Sequence, residues 1–344
     1  MDFKLGTFST SGGPQFAGLV IAEHVHALDA LYARMQQTNI HLKGFHSILS
    51  LLSHWDDNFA ALRETVAWLT NNTSAHEQAY ALDKLAVHPP IHLPRQIFCT
   101  IANYRSHIVD SVLGPLSGRA NSDGELQQQS AQAALAIERR LRHEPYVCFK
   151  LPSTVARPTD PLELPRHTQC TDWELELGVV IGNPCRRVTR EQAMRFVAGY
   201  TIVNDITVRE LVLRTDLENM GTDWLQSKNA PGFLPMGPYF VPADFVPNIN
   251  ELRLTLAVNG QLKQDAFASD MLFDIACQIE YISQHALMLP GDVICTGTPG
   301  GCGTRYQRFL KPGDLIEASI SGLGVQRTRC VAESSRGFAH DATH

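Results

Sequence analysis

Between Asp172 and Ile181 polar and apolar side chains alternate as Asp-Trp-Glu-Leu-Glu-Leu, and then give way to the apolar run Gly-Val-Val-Ile. A period of two marks a strand, because successive side chains point to opposite faces. The pattern predicts a strand that carries Glu174 and Glu176 on one face and Leu175 and Leu177 on the other. Its second half is apolar on both faces, so the strand enters an interior. Downstream, Thr189–Gln192 fits a capping box that opens a helix ending near Gly199. The chain then returns as a strand, Tyr200-Thr201-Ile202-Val203-Asn204-Asp205.

Similar patterns place the other elements. A hairpin is predicted from Lys4–Thr10 and Phe16–Glu23 around Ser11-Gly12-Gly13-Pro14. Helices are predicted over Val25–Gln36, Phe45–Leu52 and Phe59–Asn71, the last with Leu62, Val66 and Leu69 at helical spacing. Pro89, Pro90 and Pro94 punctuate the chain, and a boundary near residue 92 sets off a small α/β unit, residues 1–92, from the remainder of the chain. Ile97–Ile101 reads as a strand. Residues 111–146 are polar, with a Gln- and Ala-rich stretch over Gln127–Arg142, and read as an inserted loop and helix. Asn259-Gly260 between Leu252–Val258 and Gln261–Gln264 is a hairpin signal, since both residues accept the positive φ of a type I′ turn. Asp270 is placed to cap a helix running to about Leu287, with Leu272, Ile275, Ile279, Ile282 and Ala286 on one face. Residues 334–344 read as a flexible tail.

Composition narrows the function classes. With 44% hydrophobic and 19% charged residues, the 344-residue chain can bury a sizeable core. Its net charge is −6 and its Lys and Arg are scattered, which argues against nucleic-acid or anionic-membrane surfaces, both of which need a clustered basic footprint. No apolar stretch approaches the roughly 20 residues of a membrane span, and the first residues lack the apolar core of a signal peptide. The eight cysteines are widely spread with no CxxC pair, so buried free thiols in a reducing, cytoplasmic compartment are expected and a zinc cluster is not.

The chemistry begins with the acids. Glu174 and Glu176, about 6.5 to 7 Å apart along a strand, repel one another and lose hydration beside an interior unless something neutralises them. A hard dication does so. Asp205, at the end of the returning strand, can approach the pair as a third ligand. Three carboxylates completed by water suit Mg²⁺ or Mn²⁺, with Ca²⁺ as another occupant, and the lack of nearby His or Cys disfavours Zn²⁺. Spacing alone equally allows the glutamates to be the solvated face of an edge strand, and Asp205 to be a turn residue.

Five segments in order resemble the fumarylacetoacetate hydrolase family. They are Asn103-Tyr104-Arg105-Ser106-His107, Asp172-Trp173-Glu174-Leu175-Glu176-Leu177, Asn204-Asp205-Ile206-Thr207-Val208-Arg209-Glu210, Ser227-Lys228-Asn229 and Thr296-Gly297-Thr298-Pro299. The resemblance spans roughly residues 96–332. It implies an α+β fold: a mainly β catalytic domain of rolled, sandwiched sheets over residues 93–333, with residues 111–146 as an inserted lid, preceded by the small N-terminal domain. It also implies a homodimer, and a small oxo-acid or diketone as substrate. The family's metal ligands fall on Glu174, Glu176 and Asp205. Its reactions are mostly hydrolyses of a C–C bond in acylpyruvate- or fumarylacetoacetate-like compounds, with decarboxylation, isomerisation or hydration of 2-oxo acids as the alternative.

The resemblance also assigns roles. His107 is the candidate general base, its imidazole titrating near neutral pH, and Asp110 stands where the family often has a Glu that orients it. Lys228 is the candidate cation for developing oxyanion charge. Tyr104, Lys150, Arg209 and Thr298 are candidate substrate contacts, Thr298 within a loop that contacts substrate carboxylate. Taken singly, His107 reads equally as a strand-end histidine, Lys228 as a surface lysine, and Arg209 as one half of a structural ion pair. The Gly-rich loop at 296–303 is not followed by Lys-Ser/Thr and lacks the GxGxxG spacing, so nucleotide binding is not expected. One departure concerns Val212, where acylpyruvate-cleaving members carry Gln. The other is the long insert, which predicts a larger or more apolar substrate than simple pyruvate derivatives.

Overall fold

The computed structural model describes residues 1–72, 78–115, 123–217 and 221–334. The site is organised by a six-stranded sheet in the order Val241–Pro242, Val197–Asn204, Leu175–Ile181, Val293–Cys295, Ile97–Ile101, Tyr146–Lys150. Neighbours are antiparallel except for the parallel pair Val293–Cys295 and Ile97–Ile101. The glutamate strand, Leu175–Ile181, is third in this order and buried throughout, as its two-sided apolar run requires.

Each face of that sheet is covered. Leu175, Leu177, Val179 and Ile181 share an apolar cluster with Leu254, Leu256, Ile316 and Ile320 of a second sheet and with Ile275, Ile279 and Ile282 of the helix Ile275–His285. The second sheet runs Gln261–Phe267, Arg253–Val258, Leu315–Ile320, Gly324–Ala332, Leu162–Leu164. On the opposite face Val180, Ile97, Cys99 and Val293 share a cluster with Leu5, Leu19, Leu52, Trp55 and Leu62 from the N-terminal part. That part is a five-stranded sheet, Tyr80–Ala81, His24–Ala27, Phe16–Ile21, Lys4–Ser9, Ala86–His88, with helices Leu28–Arg34, Ile48–Leu52 and Trp55–Asn71. The expected α+β class, rich in sandwiched sheets, is what the chain adopts.

The two predicted hairpins form. Lys4 to Phe8 pairs antiparallel with Val20 to Phe16, and Asn259 and Gly260 take φ of 51° and 75° between Arg253–Val258 and Gln261–Phe267. Other boundaries are corrected. The helix expected from Val25 starts at Leu28, because His24–Ala27 alternates as a strand and pairs with Phe16–Ile21. The last N-terminal helix starts at Trp55 rather than Phe59. Asp270 caps no helix: Asp274 does so, accepting from the Cys277 N–H at 2.8 Å, while Asp270 Oδ2 accepts from the Ser106 N–H at 3.0 Å.

The helix expected after Thr189 is a single turn, Arg190–Ala193, continued by the 3-10 turn Met194–Phe196, and the Thr189 side chain makes no capping bond. The aspartate strand therefore begins at Val197, earlier than expected. Gly199 is inside it rather than at a helix end, since a Cβ there would lie 2.2 Å from the Val241 carbonyl oxygen. Strand pairing rather than helix termination selects this glycine.

The helix Arg105–Leu113, which runs into the expected insert, packs against the helix Asp123–Leu141 inside it. Residues 116–122 of the insert and 335–344 of the tail lie outside the described residues. Among the described residues no helix is long and apolar enough to cross a membrane.

Candidate active site

Glu174 and Glu176 precede and open the glutamate strand, and Asp205 comes at the end of the aspartate strand directly beside them. The register pairs Leu175 with Asn204 and Glu176 with Val203, and the Asp205 N–H donates to the Glu174 carbonyl at 2.8 Å. A carboxylate oxygen from each of Glu174, Glu176 and Asp205 lies within 4.8 Å of the others. Their exposures are 6%, 2% and 1%, which excludes a solvated edge strand.

Three cations face the acids. Lys228, 1% exposed and so no surface lysine, donates to Glu174 Oε2 at 2.7 Å, Asp205 Oδ2 at 2.6 Å and Thr207 Oγ1 at 2.7 Å. Lys150 pairs with Asp205 Oδ1 and donates to the Ile206 carbonyl at 3.0 Å. Arg209 lies 2.6 Å from Glu174 Oε1 and donates through Nε to Asp172 Oδ2 at 2.7 Å. Both alternatives held open for Arg209 thus meet, as it pairs structurally and also borders the cavity.

Burial opposes the charge on Glu174, yet Arg209, Lys228 and His107 outweigh it and hold the carboxyl far below its usual range. Burial also opposes the Lys228 charge, and Asp205 and Glu174 override it upward. Glu176 differs. Burial, then the Asp205 and Glu174 charges, push it well above the ordinary carboxyl range. Its Oε2 accepts from the Gly297 N–H at 2.7 Å. No salt bridge reaches it among the described residues.

Asp172, Glu174, Glu176 and Asp205 thus face Lys150, Arg209 and Lys228, leaving one buried acid without its own cation. An all-oxygen set with surplus negative charge fits a hard divalent cation.

The Thr296–Gly301 loop is pinned from several sides. Asn103 Nδ2 donates to the Thr296 carbonyl at 2.8 Å and the Phe273 carbonyl at 3.0 Å, while its Oδ1 accepts from the Phe273 N–H at 2.9 Å. Trp173, fully buried between the acids in sequence, donates its indole N–H to the Gly301 carbonyl at 3.0 Å. Gly297 has φ 95°, and a Cβ there would lie 2.7 Å from that of Asn103, so only glycine brings this N–H to Glu176. Thr298 Oγ1 donates to the Leu175 carbonyl at 3.0 Å and accepts from Gln264 Nε2 at 2.8 Å.

His107, on the helix Arg105–Leu113, borders a cavity of about 60 Å³ together with Glu174, Glu176, Arg209, Val212, Trp224, Lys228 and Thr298. Burial is the main cause lowering its pKa, with Arg209 and Lys228 helping and Glu174 and Asp110 opposing. Its Nδ1 neighbour is Cys302 Sγ at 3.9 Å. The Asp110 carboxylate instead accepts from the Gly301 N–H at 2.6 Å and lies 3.3 Å from Arg305 Nε. A second cavity, about 280 Å³, shares His107 and Arg209 as walls and adds Asp110, Ser111, Thr304 and Arg305. Tyr104 and Lys150 border neither: Tyr104 is fully buried in the core, and Lys150 reaches Asp205.

Four participants are given no role by the sequence patterns: Asp172, Thr207, Gln264 and Cys302. Asp172 carries a signal, since it continues the period of two that relates Glu174 and Glu176. Thr207 donates to Glu174 Oε2 at 3.3 Å and Gln264 links the Leu175 N–H to the Thr298 loop. Nothing local in sequence marks Gln264, and Thr207 is marked only by lying in the segment that carries Asp205 and Arg209.

Residues 96–331 match the fumarylacetoacetate (FAA) hydrolase C-terminal family. The chain belongs to the fumarylacetoacetate hydrolase family. A 2,4-didehydro-3-deoxy-L-rhamnonate hydrolase of Sphingomonas sp. (strain SKA58) is 38% identical over 187 residues, covering 54% of this chain and 64% of that protein. The solved fumarylacetoacetate hydrolase of Exiguobacterium antarcticum has a TM-score of 0.70 at 26% identity, covering 96% of this chain and 100% of its own. A maleylpyruvate hydrolase of Sphingobium sp. SYK-6, solved with manganese(II) and pyruvate, has a TM-score of 0.68 at 25% identity, with coverage of 96% and 100%. Membership of the fumarylacetoacetate hydrolase family and the buried triad together support a metal-dependent enzyme of hydrolase or isomerase type acting on a small organic acid.

Proposed function

We propose that this protein hydrolyses a C–C bond in a β-diketone or 2,4-diketo acid, with Glu174, Glu176 and Asp205 holding Mg²⁺ or Mn²⁺. The carrying observation is Glu176, a buried carboxylate that burial and two neighbouring acids leave short of positive charge. A divalent cation held there would supply Lewis acidity to the substrate's carbonyl oxygens.

The chain's residues supply the rest. His107, kept neutral by burial, takes a proton from water as that water attacks the distal carbonyl. The C–C bond then breaks, the proton held by His107 passes to the leaving carbon, and a carboxylic acid is released with a 2-oxo acid, or with a ketone from a simple β-diketone. Lys228 faces the oxygen on which negative charge grows. Arg209 and Thr298 border the space beside the acids and orient the substrate carboxylate. The cavity of about 60 Å³ takes only the chelating end of a diketo acid, so the remainder extends past His107 into the neighbouring 280 Å³. The insert, packed on the His107 helix, acts as a lid that sets the length and polarity of that remainder. The protein works as a homodimer in the cytoplasm.

A second reading keeps the metal and runs decarboxylation, isomerisation or hydration of a 2-oxo acid. Val212 favours it, since this apolar side chain lines the cavity at the position where a glutamine would hold substrate or water. Incubation with acylpyruvates of increasing chain length tests the primary reading. Pyruvate and the matching carboxylic acid should appear together, cease on chelation and return with Mn²⁺. Turnover that yields carbon dioxide or an isomer instead would favour the second reading.

A further inference from the structure

Cys148, Cys99 and Cys295 occupy one row across three adjacent strands. The register sets Cys99 opposite Cys148 on the antiparallel side and opposite Cys295 on the parallel side. Opposed residues share a sheet face, and the Cys99 sulfur is within hydrogen-bonding reach of both neighbours. Directly opposed Cα atoms in an antiparallel pair are about 4.5 to 5.5 Å apart, within the span that a disulfide bridges. All three thiols are buried, but Tyr146–Lys150 is the edge strand. Cys148 also borders an open groove of about 420 Å³, with Tyr146, Phe149, Leu151, Trp224 and Leu225. Nothing in the proposed chemistry uses these sulfurs.

We infer that Cys148 and Cys99 form a reversible disulfide, an oxidation site entered from the groove at the sheet edge by a small peroxide. The hydrogen bonds from Cys148 and Cys295 pull the Cys99 thiol down to about 6 despite its burial, while the same contact with Cys99, and burial, push the Cys148 thiol up, so the pair holds one thiolate that rests mainly on Cys99. Proton exchange across the Cys148–Cys99 contact moves the charge to Cys148, the sulfur that lines the groove, as it attacks. Attack of that sulfur on the peroxide oxygen breaks the O–O bond, gives Cys148 sulfenic acid and releases hydroxide or alkoxide, which takes the Cys99 proton to become water or alcohol and leaves Cys99 as the thiolate. Cys99 thiolate then attacks the sulfenic sulfur, the S–O bond breaks, and the hydroxide that leaves is protonated by solvent to water. The two thiols are oxidised by two electrons and the peroxide is reduced by two. The bridge lies on the strand face that bears Lys150, two residues beyond Cys148 and paired with Asp205.

The test treats the reduced full-length protein with a small excess of hydrogen peroxide, counts thiols after denaturation, and maps linked peptides by mass spectrometry. The expected result is two fewer thiols than the eight present in the sequence, a peptide pair joining Cys99 to Cys148, and reversal by dithiothreitol. Cys148→Ser should abolish the thiol loss. Cys99→Ala, which removes both the proton acceptor and the resolving thiol while leaving the edge strand's own side chains intact, should react more slowly and stop at a sulfenic acid on Cys148 that dimedone traps. Eight retained thiols, a bridge between another pair, or undiminished thiol loss in either variant would overturn the assignment.

Discussion

Glu174 and Asp205 are tied twice, once by the Asp205 N–H donating to the Glu174 carbonyl at 2.8 Å and once by the Lys228 ammonium, 2.7 Å from Glu174 Oε2 and 2.6 Å from Asp205 Oδ2. The backbone bond is set by strand register, so the two carboxylates are neighbours before any ion binds. The ammonium supplies one positive charge between them, and Arg209 and Lys150 each add one to a single acid of the two.

Removal of that ammonium makes a prediction about stability. Lys228→Met removes the buried partner that Glu174 Oε2 and Asp205 Oδ2 share and leaves only Arg209 on the one and Lys150 on the other; loss of one member of a buried pair costs about 3 to 5 kcal/mol. Chemical denaturation without metal should show this loss. Mn²⁺ should restore more stability to the variant than it adds to the wild type, because binding to the folded form alone stabilises it. Equal increments in both proteins would contradict a shared site for ammonium and cation.

His107 separates the two chemistries. His107→Ala should lower hydrolysis by about 10²- to 10⁴-fold and leave metal affinity nearly unchanged. Decarboxylation by the same variant, if the protein performs it, should survive. Hydrolysis that persists without His107 would remove it as the base.

The same imidazole sets the pH dependence. Its folded pKa is lowered below 6.5, chiefly by burial, with Arg209 and Lys228 in the same sense and Glu174 and Asp110 opposed. The base is therefore neutral at and somewhat below pH 6.5, and the acid limb of kcat/KM should fall beneath that value. The stability term has the same sign. An unfolded chain takes up a proton below pH 6.5 that the folded His107 refuses, so this contribution is present above 6.5 and is lost as pH falls through the folded pKa. An acid limb centred above pH 7 in the wild type, retained in His107→Ala, would contradict it.

The insert tests substrate choice. Replacing residues 115–142 with a short Gly-Ser linker should change the ratio of kcat/KM between a short and a long acylpyruvate. An unchanged ratio would remove the lid reading.

The fold and the candidate site are legible in sequence to different depths. The glutamate strand is readable because its period of two and its apolar run are local properties. The hairpin at Asn259-Gly260 is readable because two positive φ angles demand such residues. The aspartate strand's true start is not, since Gly199 reads as a helix end until the Val241 carbonyl beside it is seen. Asp270 and Asp274 are equally good caps in sequence, and only the Ser106 contact draws Asp270 away. Lys150 reads as a pocket residue, and its bond to Asp205 depends on strand pairing that no local pattern encodes. Cys302, rather than Asp110, is the near neighbour of His107 Nδ1 for the same reason.

The most direct measurement of the central claim is titration calorimetry of the chelator-treated protein with Mn²⁺, in the wild type and in Glu176→Gln. The predicted result is a single site per chain, weakened in the variant by at least the ~10- to 100-fold that loss of an outer partner costs. Equal affinity in the two proteins, or no binding to the wild type, would contradict it.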